Sequence, residues 1–238
     1  MKSKFGILHK LNFLQDFASL FIAGINPAVT HNLEKYYALK KVHYLSAIEH
    51  LEGDYLEFGV FTGSSFAHSI RCARKLNHFN SESNNIKFYG FDSFSGFGDV
   101  AEDDNHSYYI DQNFKTDFDR VNRRINNVCG NFNFTLVKGF FDQSLKNGPS
   151  ALGIKKARII FIDCDTYASA KKALIFCRTI IQQGTFIMLD DFFSYKGSER
   201  AGVARAFNEF IKRSGFSVRQ VFTYGMGGSV YVISSLSK

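Results

Sequence analysis

Residues 157–167 read ARIIFIDCDTY and residues 184–192 read GTFIMLDDF. Both are short apolar runs that end in paired carboxylates. Neither alternates apolar with polar residues, and such a run marks a strand covered on both faces. Between them, residues 168–182 carry helical spacing. The same alternation extends upstream, with strand-like runs at 55–60, 86–91 and 132–137 and helical patterns at 64–76 and 117–128. Downstream lie a helical stretch at 199–213 and two strands, 216–223 and 229–235, joined by a glycine-rich turn at 225–228. Alternating strands and helices predict an α/β fold, a mostly parallel seven-stranded sheet with helices on both faces. The last two strands share a tight turn, so the sheet closes antiparallel. Residues 1–50 look helical and hold no convincing strand, which divides the chain into a helical N-terminal extension, 1–50, and a sheet domain, 51–238.

The composition agrees with a globular chain. Of 238 residues, 45% are apolar and 21% charged, and only two are proline. That excludes a disordered tail, a collagen, a coiled coil and a disulfide-dense mini-protein. Lys and Arg exceed Asp and Glu by 29 to 22, a net charge of +7. The basic residues are scattered, with no run longer than a pair such as Lys40-Lys41 or Arg123-Arg124. A nucleic-acid binder concentrates its charge on one face, so no nucleic-acid partner is expected. Cys72, Cys129, Cys164 and Cys177 form no C-x-x-C pair and read as free thiols of a cytoplasmic protein. Near the start, Lys2, Lys4 and Lys10 precede Leu11, Leu14, Phe17 and Phe21, which recur at helical spacing. They predict an amphipathic helix packed on the domain or on a partner subunit, and a homodimer is the expected assembly. No apolar stretch reaches the 18 residues or so of a membrane span.

Ligands of open α/β sheets bind beyond the C-terminal ends of the strands. The first strand ends in LEFGVFTGSS, residues 56–65. Gly59 and Gly63 allow a tight turn and close approach to a ligand, and the following helix offers free N–H groups to an anion. A plain turn capped by Ser64 or Ser65 reads equally well from this piece alone. The second strand ends in YGFDSF, residues 89–94, with Asp92 where an acid takes the ribose hydroxyls of a nucleotide-type cofactor. Asp163, Asp165, Asp190 and Asp191 follow the two most apolar strands. Carboxylates grouped at the edge of a core are costly unless a cation or partner compensates them. A hard divalent ion such as Mg²⁺ is the economical solution, and helix capping by Asp165 and Asp191 is the alternative.

Together these ends resemble the class I S-adenosylmethionine-dependent methyltransferases, and more narrowly the TylF-like, macrocin O-methyltransferase family. The pieces YLEFGVFTGSS, FYGFDSFSGF, LVKGFFDQSL, FIDCDTYAS and MLDDFF stand in the family's order across residues 50–195. The resemblance implies a Rossmann-like methyltransferase sheet with a closing antiparallel strand. It assigns Glu57, Gly59, Thr62, Gly63, Ser64 and Ser65 to the methionine and ribose side of S-adenosylmethionine, with Asp163 beside them. Asp92 takes the ribose hydroxyls next to Ser93, while Gly139, Phe140 and Phe141 lie near the adenine. Asp163, Asp190 and Asp191 hold Mg²⁺. The common methyltransferase turn has a glycine where this chain has Phe61.

The implied reaction is direct methyl transfer from the sulfonium to a hydroxyl of a sugar or glycosylated small molecule. Asp163 or Asp165 is the candidate base, and His106 in the insert EDDNHSYY is a second. Substrate selection is expected in residues 1–50 and in the insert 95–116, with Phe94, Phe97, Tyr108 and Tyr109 as pocket walls. Three other readings use the same residues. IIFIDCDTY fits the haloacid-dehalogenase phosphatase pattern, with Asp163 as nucleophile and Asp165 as acid/base. A D-x-D glycosyltransferase is a second, and a non-catalytic S-adenosylmethionine-binding domain a third. The phosphatase motif would usually stand near the N-terminus with further acids far downstream, and the glycosyltransferase leaves the Glu57–Ser65 turn and Asp92 without a role.

Overall fold

The computed structural model describes residues 12–76, 79, 85–98, 100, 104, 106–107 and 114–236. The sheet grows from β4 (Ala157–Ile162), all six of whose residues are buried. It pairs in parallel with β1 (Asp54–Phe58) on one side and β5 (Phe186–Leu189) on the other. β2 (Lys87–Asp92) and β3 (Asn133–Lys138) extend the β1 side. β6 (Ser217–Tyr224) and β7 (Gly228–Ser235) complete the other, giving the order β3-β2-β1-β4-β5-β7-β6. β7 is antiparallel to both of its neighbours. The expected seven-stranded, antiparallel-closed sheet is therefore what forms. The chain runs outward from β1 to β3 and then returns to β4. The β1/β4 boundary is thus the topological switch point, where a crevice opens beyond the strand ends.

Two helices precede the sheet: α1 (Asn12–Gly24) and α2 (Pro27–Ile48). α3 (Ser64–Leu76) and α4 (Phe118–Cys129) follow β1 and β2, the short α5 (Phe141–Ser144) follows β3, and α6 (Tyr167–Cys177) follows β4. A helical turn α7 (Ser194–Gly197) and α8 (Gly202–Ser214) lie between β5 and β6. Successive strand residues face opposite ways. Ile159 and Phe161 therefore join one core with Leu39, Val42, Phe66, Ile70 and Ile125 from α2, α3 and α4. Ile160 and Ile162 join the other with Ala170, Leu174, Phe207 and Phe210 from α6 and α8.

Local chemistry sets the helix ends. Pro27 opens α2 after Asn26, whose side chain accepts from the Ala28 N–H at 2.9 Å. Asp117 caps α4 by accepting from the Arg120 N–H at 2.7 Å. The helix expected over 168–182 stops at Cys177, because the β4 edge draws the following residues out of it. The Ala157 N–H donates to the Ile180 carbonyl at 2.8 Å. The helical segment 1–50 behaves as two parts. α2 buries Ala38, Leu39, Val42 and Ala47 in the core, whereas α1 buries no residue. Lys2, Lys4, Lys10 and Leu11 lie outside the described residues. Among the described residues, no helix is long and apolar enough to cross a membrane.

Candidate active site

Backbone donors build the β1–β2 end of the crevice. Gly59 leaves β1 at φ +94°, and its N–H donates to the Phe91 carbonyl at 2.9 Å. A Cβ at that position would overlap the Asp163 carbonyl oxygen, so β1 and β4 approach as only glycine allows. The Val60 and Phe61 N–H groups both donate to Asp92 Oδ2, at 2.8 and 2.7 Å, and the Phe94 N–H donates to Oδ1 at 2.6 Å. Asp92 thereby ties two loops together. Burial raises its pKa, and the three N–H donors pull the other way. Phe61 adopts φ 48°, the left-handed backbone that glycine usually supplies.

Glu57 lies under this turn, fully buried. It accepts from the Tyr55 hydroxyl and, at 2.6 Å, from Ser65 Oγ. Burial pushes its pKa up to about 7, against the pull of Ser65 and Tyr55. Its carboxylate holds Ser65, and Ser65 lines the cavity in its place. Gly63 turns toward Val121 and Ile125 of α4 at φ +75°, and the Gly139 N–H donates to the Asp92 carbonyl at 2.9 Å. Both glycines shape the wall from behind. Thr62, Ser64, Asp92, Ser93, Phe140 and Phe141 line a cavity of about 750 Å³.

The same cavity reaches the β4–β5 end, which is built from charge. Asp163, Asp165, Asp190 and Asp191 all line it. The helix-capping alternative accounts for little of this. Thr166 caps α6, and buried Asp104 of the insert accepts from the Tyr167 and Ala168 N–H groups at 2.7 and 2.9 Å. Asp165 instead sits in a tight turn at φ 61°, closed by the Thr166 N–H donating to the Cys164 carbonyl at 2.7 Å. Asp163, Asp165 and Asp191 each offer an oxygen within 4.8 Å of the others. Three hard oxygen donors so placed suit a divalent cation.

Asp190 is not one of that trio, although its carboxylate lies beside that of Asp163; the grouping expected from sequence was Asp163, Asp190 and Asp191. Lys35 Nζ on α2 lies 2.7 Å from Asp190 Oδ2 and 3.0 Å from Asp163 Oδ2. Burial lowers the Lys35 pKa, but the two carboxylates outweigh it and hold the ammonium well above its ordinary value. His31, one turn earlier, accepts from the Met226 N–H at Nδ1 (3.1 Å). Its Nε2 therefore keeps the proton and donates to Asp190 Oδ2 at 3.0 Å. Burial alone would raise the Asp190 pKa, yet Lys35 and His31 together hold it below the usual carboxylate range. Among the described residues, no lysine or arginine pairs with Asp165. Burial and then the neighbouring Asp191 push its pKa well up. Asp163 is also raised, by burial and by Asp190, with Lys35 opposing.

Sequence reading missed Lys35 and His31. One signal was present: Lys35 stands on the same helical stripe as Ala38, Leu39, Val42 and Ser46, all of them buried. A lysine on an apolar stripe needs a buried partner. Of the other expected residues, His106 lines the cavity, its ring 5.0 Å from that of Tyr195, and Phe97 lines it too. Phe94 is buried against Phe118 in the core and not on the wall. Tyr108 and Tyr109 lie outside the described residues.

Comparison with known proteins bears on this arrangement. The macrocin-O-methyltransferase (TylF) family profile matches residues 32–217. No curated protein matches the chain in sequence. Among solved structures, the O-methyltransferase NovP superposes with a TM-score of 0.67 at 17% identity, over 84% of this chain and 79% of its own. CalS11, a calicheamicin methyltransferase, gives 0.65 at 15% identity, over 83% and 77%. The apo form of CalS11, described as a TDP-rhamnose 3'-O-methyltransferase, gives 0.58 at 14% identity, over 83% and 78%. At such identities these likenesses show the fold, and the family assignment rests on the profile match, which spans most of the chain. The chain thus belongs to the TylF, or macrocin-O-methyltransferase, family and is an S-adenosylmethionine-dependent O-methyltransferase.

Proposed function

We propose that the protein methylates a hydroxyl of a sugar or of a glycosylated small molecule, in a reducing cytoplasm that suits its free thiols. One observation carries this reading: a single cavity joins the backbone-donor end at Asp92 to the carboxylate end at Asp165 and Asp191. S-adenosylmethionine lies along the first end, its ribose at Asp92 and Ser93 and its adenine near Phe140 and Phe141. Its methyl group then faces the β4–β5 carboxylates. The acceptor enters between those carboxylates, His106 and the start of α2. The likeness to CalS11, a TDP-rhamnose 3'-O-methyltransferase, favours a sugar acceptor.

The acceptor oxygen attacks the methyl carbon, the carbon–sulfur bond breaks, and S-adenosylhomocysteine leaves. The hydroxyl proton passes to Asp165, which lines the cavity beside Asp163 and Asp191. Asp163, held by Lys35, fixes the edge of the site. A Mg²⁺ ion held by Asp163, Asp165 and Asp191 would supply Lewis-acid charge that acidifies the acceptor hydroxyl. His31, locked between Met226 and Asp190, orients Asp190 and is no free base. His106 is the second base to test.

The experiment is incubation with methyl-labelled S-adenosylmethionine and a panel of nucleotide sugars, simple glycosides and phenols, with and without chelator. Label in a sugar, lost in Asp165→Asn, is the expected result. Label only in phenols would overturn the sugar assignment, and full turnover in chelator would overturn the Mg²⁺ assignment. Phosphate release from phosphate esters, without any methyl transfer, would revive the phosphatase reading of Asp163 and Asp165.

A further inference from the structure

We infer that Met226, in the turn between β6 and β7, is a specificity-determining residue that packs against an apolar edge of the methyl acceptor, a role that rests on the function proposed above. The turn reads Gly225-Met226-Gly227-Gly228, so Met226 carries its only side chain. Hairpin turns in water favour glycine, asparagine and aspartate, whose backbone freedom or polar side chain suits the bend. Gly225 supplies the bend here, at φ 57°. The turn itself has no need of a methionine, yet Met226 is 63% exposed and lines the cavity.

Sheet order places Met226 at the acceptor end. Ser229 of β7 stands opposite Leu189 of β5, so the turn lies beyond the same strand end as Asp190 and Asp191. Asp92 lies beyond β2. The order β2-β1-β4-β5-β7 puts four inter-strand steps between them, about 19 Å at roughly 4.8 Å per step. A cofactor with its ribose at Asp92 presents its methyl group near β4, which leaves the space toward the turn to the acceptor. Around Met226 the wall is apolar, with Pro27 and Ala28 at the start of α2 and Phe193 after β5. The acceptor end thus combines carboxylates, which take hydroxyls, with a carbon rim. An unbranched thioether adapts well to such a contact.

The backbone under Met226 is pinned at three points. The Gly225 N–H donates to Glu34 Oε2 at 2.8 Å, and the Met226 N–H donates to His31 Nδ1 at 3.1 Å. The Phe193 N–H donates to the Gly227 carbonyl at 2.9 Å. A Cβ on Gly225 would overlap His31 Nδ1, so the imidazole closes over the bend as only glycine permits. The same imidazole reaches Asp190 through Nε2. One side chain therefore sets both the carboxylate end and the turn, which fixes Met226 relative to the reacting hydroxyl. Glu34 and His31 are positioning residues, and Met226 makes the contact.

The test assays wild type, Met226→Ala, Glu34→Leu and Glu34→Gln on the nucleotide sugars, glycosides and phenols of the labelled panel, with S-adenosylhomocysteine affinity measured by calorimetry. Met226→Ala should raise the acceptor KM about tenfold, the scale of an apolar contact in a specificity pocket, with kcat and the cofactor-product Kd each within about twofold. Glu34→Leu, which releases the turn, should raise the same KM about fivefold, the worth of one hydrogen bond. Glu34→Gln, which keeps a carbonyl oxygen for the Gly225 N–H, should restore it. All three should melt with wild type, because Met226 and Glu34 are exposed. An unchanged acceptor KM in Met226→Ala would overturn the inference. So would a Kd that rises in step with KM, because the turn would then serve the cofactor end. Failure of wild type to methylate any member of the panel would instead overturn the functional reading, and Met226's role with it.

Discussion

The two ends of the cavity are built by opposite means. At the β1–β2 end, one carboxylate, Asp92, is saturated by three backbone N–H groups from its own neighbourhood. At the β4–β5 end, four carboxylates crowd together, and the protein compensates two of them with Lys35 and His31 from a helix far away in the chain. The first arrangement is rigid and neutral in effect, suited to holding a cofactor in one pose. The second gathers Asp163, Asp165 and Asp191 with oxygens within 4.8 Å of one another, suited to taking a proton or a cation.

The joint between the ends offers the largest perturbation. Gly59→Ala sets a methyl group on the Asp163 carbonyl oxygen at a backbone angle that L-residues resist. It should cost roughly 3–5 kcal/mol of stability and weaken cofactor binding and methyl transfer together, as chemical denaturation and calorimetry would report. A variant that melts with wild type would mean that the ends are not joined there.

Lys35→Met should separate the ends. Removing one partner of a buried ion pair costs about 3–5 kcal/mol when the other charges stay behind. Here Asp163 and Asp190 can take up a proton, which places the expected loss at the lower limit. Methyl transfer should fall at least about tenfold while cofactor affinity stays within about threefold. Equal losses of both would erase the distinction between the two ends.

Glu57→Gln gives the smallest and most specific effect. The Glu57 carboxyl is raised from 4.5 to about 7 in the folded protein. The folded state therefore favours its protonated form. That contribution is full below about pH 4.5 and is lost as pH rises through about 7, up to roughly 3 kcal/mol. Urea denaturation across this range should show wild type losing more stability with rising pH than Glu57→Gln. Coincident pH profiles would show that Glu57 does not titrate as its burial requires.

The same contrast explains what the sequence revealed. The Gly59 turn, Asp92 and the paired aspartates were legible because each sits at the end of its own strand, within a few residues of the pattern that announces it. All seven strands were legible for the same reason, since apolar runs declare themselves locally. Lys35 and His31 were not, because they meet Asp163 and Asp190 across 128 and 159 residues. Only the lysine on a buried stripe hinted at a partner, and nothing local named it. The grouping of Asp163 with Asp165 and Asp191 depended on that hidden pair. So did the left-handed backbone at Phe61 depend on a distant carboxylate, Asp92, that accepts its N–H.

The most direct test of the account is calorimetric titration of S-adenosylhomocysteine into wild type and into Asp165→Asn/Asp191→Asn, alongside labelled methyl transfer to the acceptor found. The account predicts a dissociation constant unchanged within about threefold and transfer reduced at least about 100-fold, the scale of general-base assistance. Cofactor affinity lost in step with activity would contradict it, because the β4–β5 carboxylates would then belong to the cofactor end of the site.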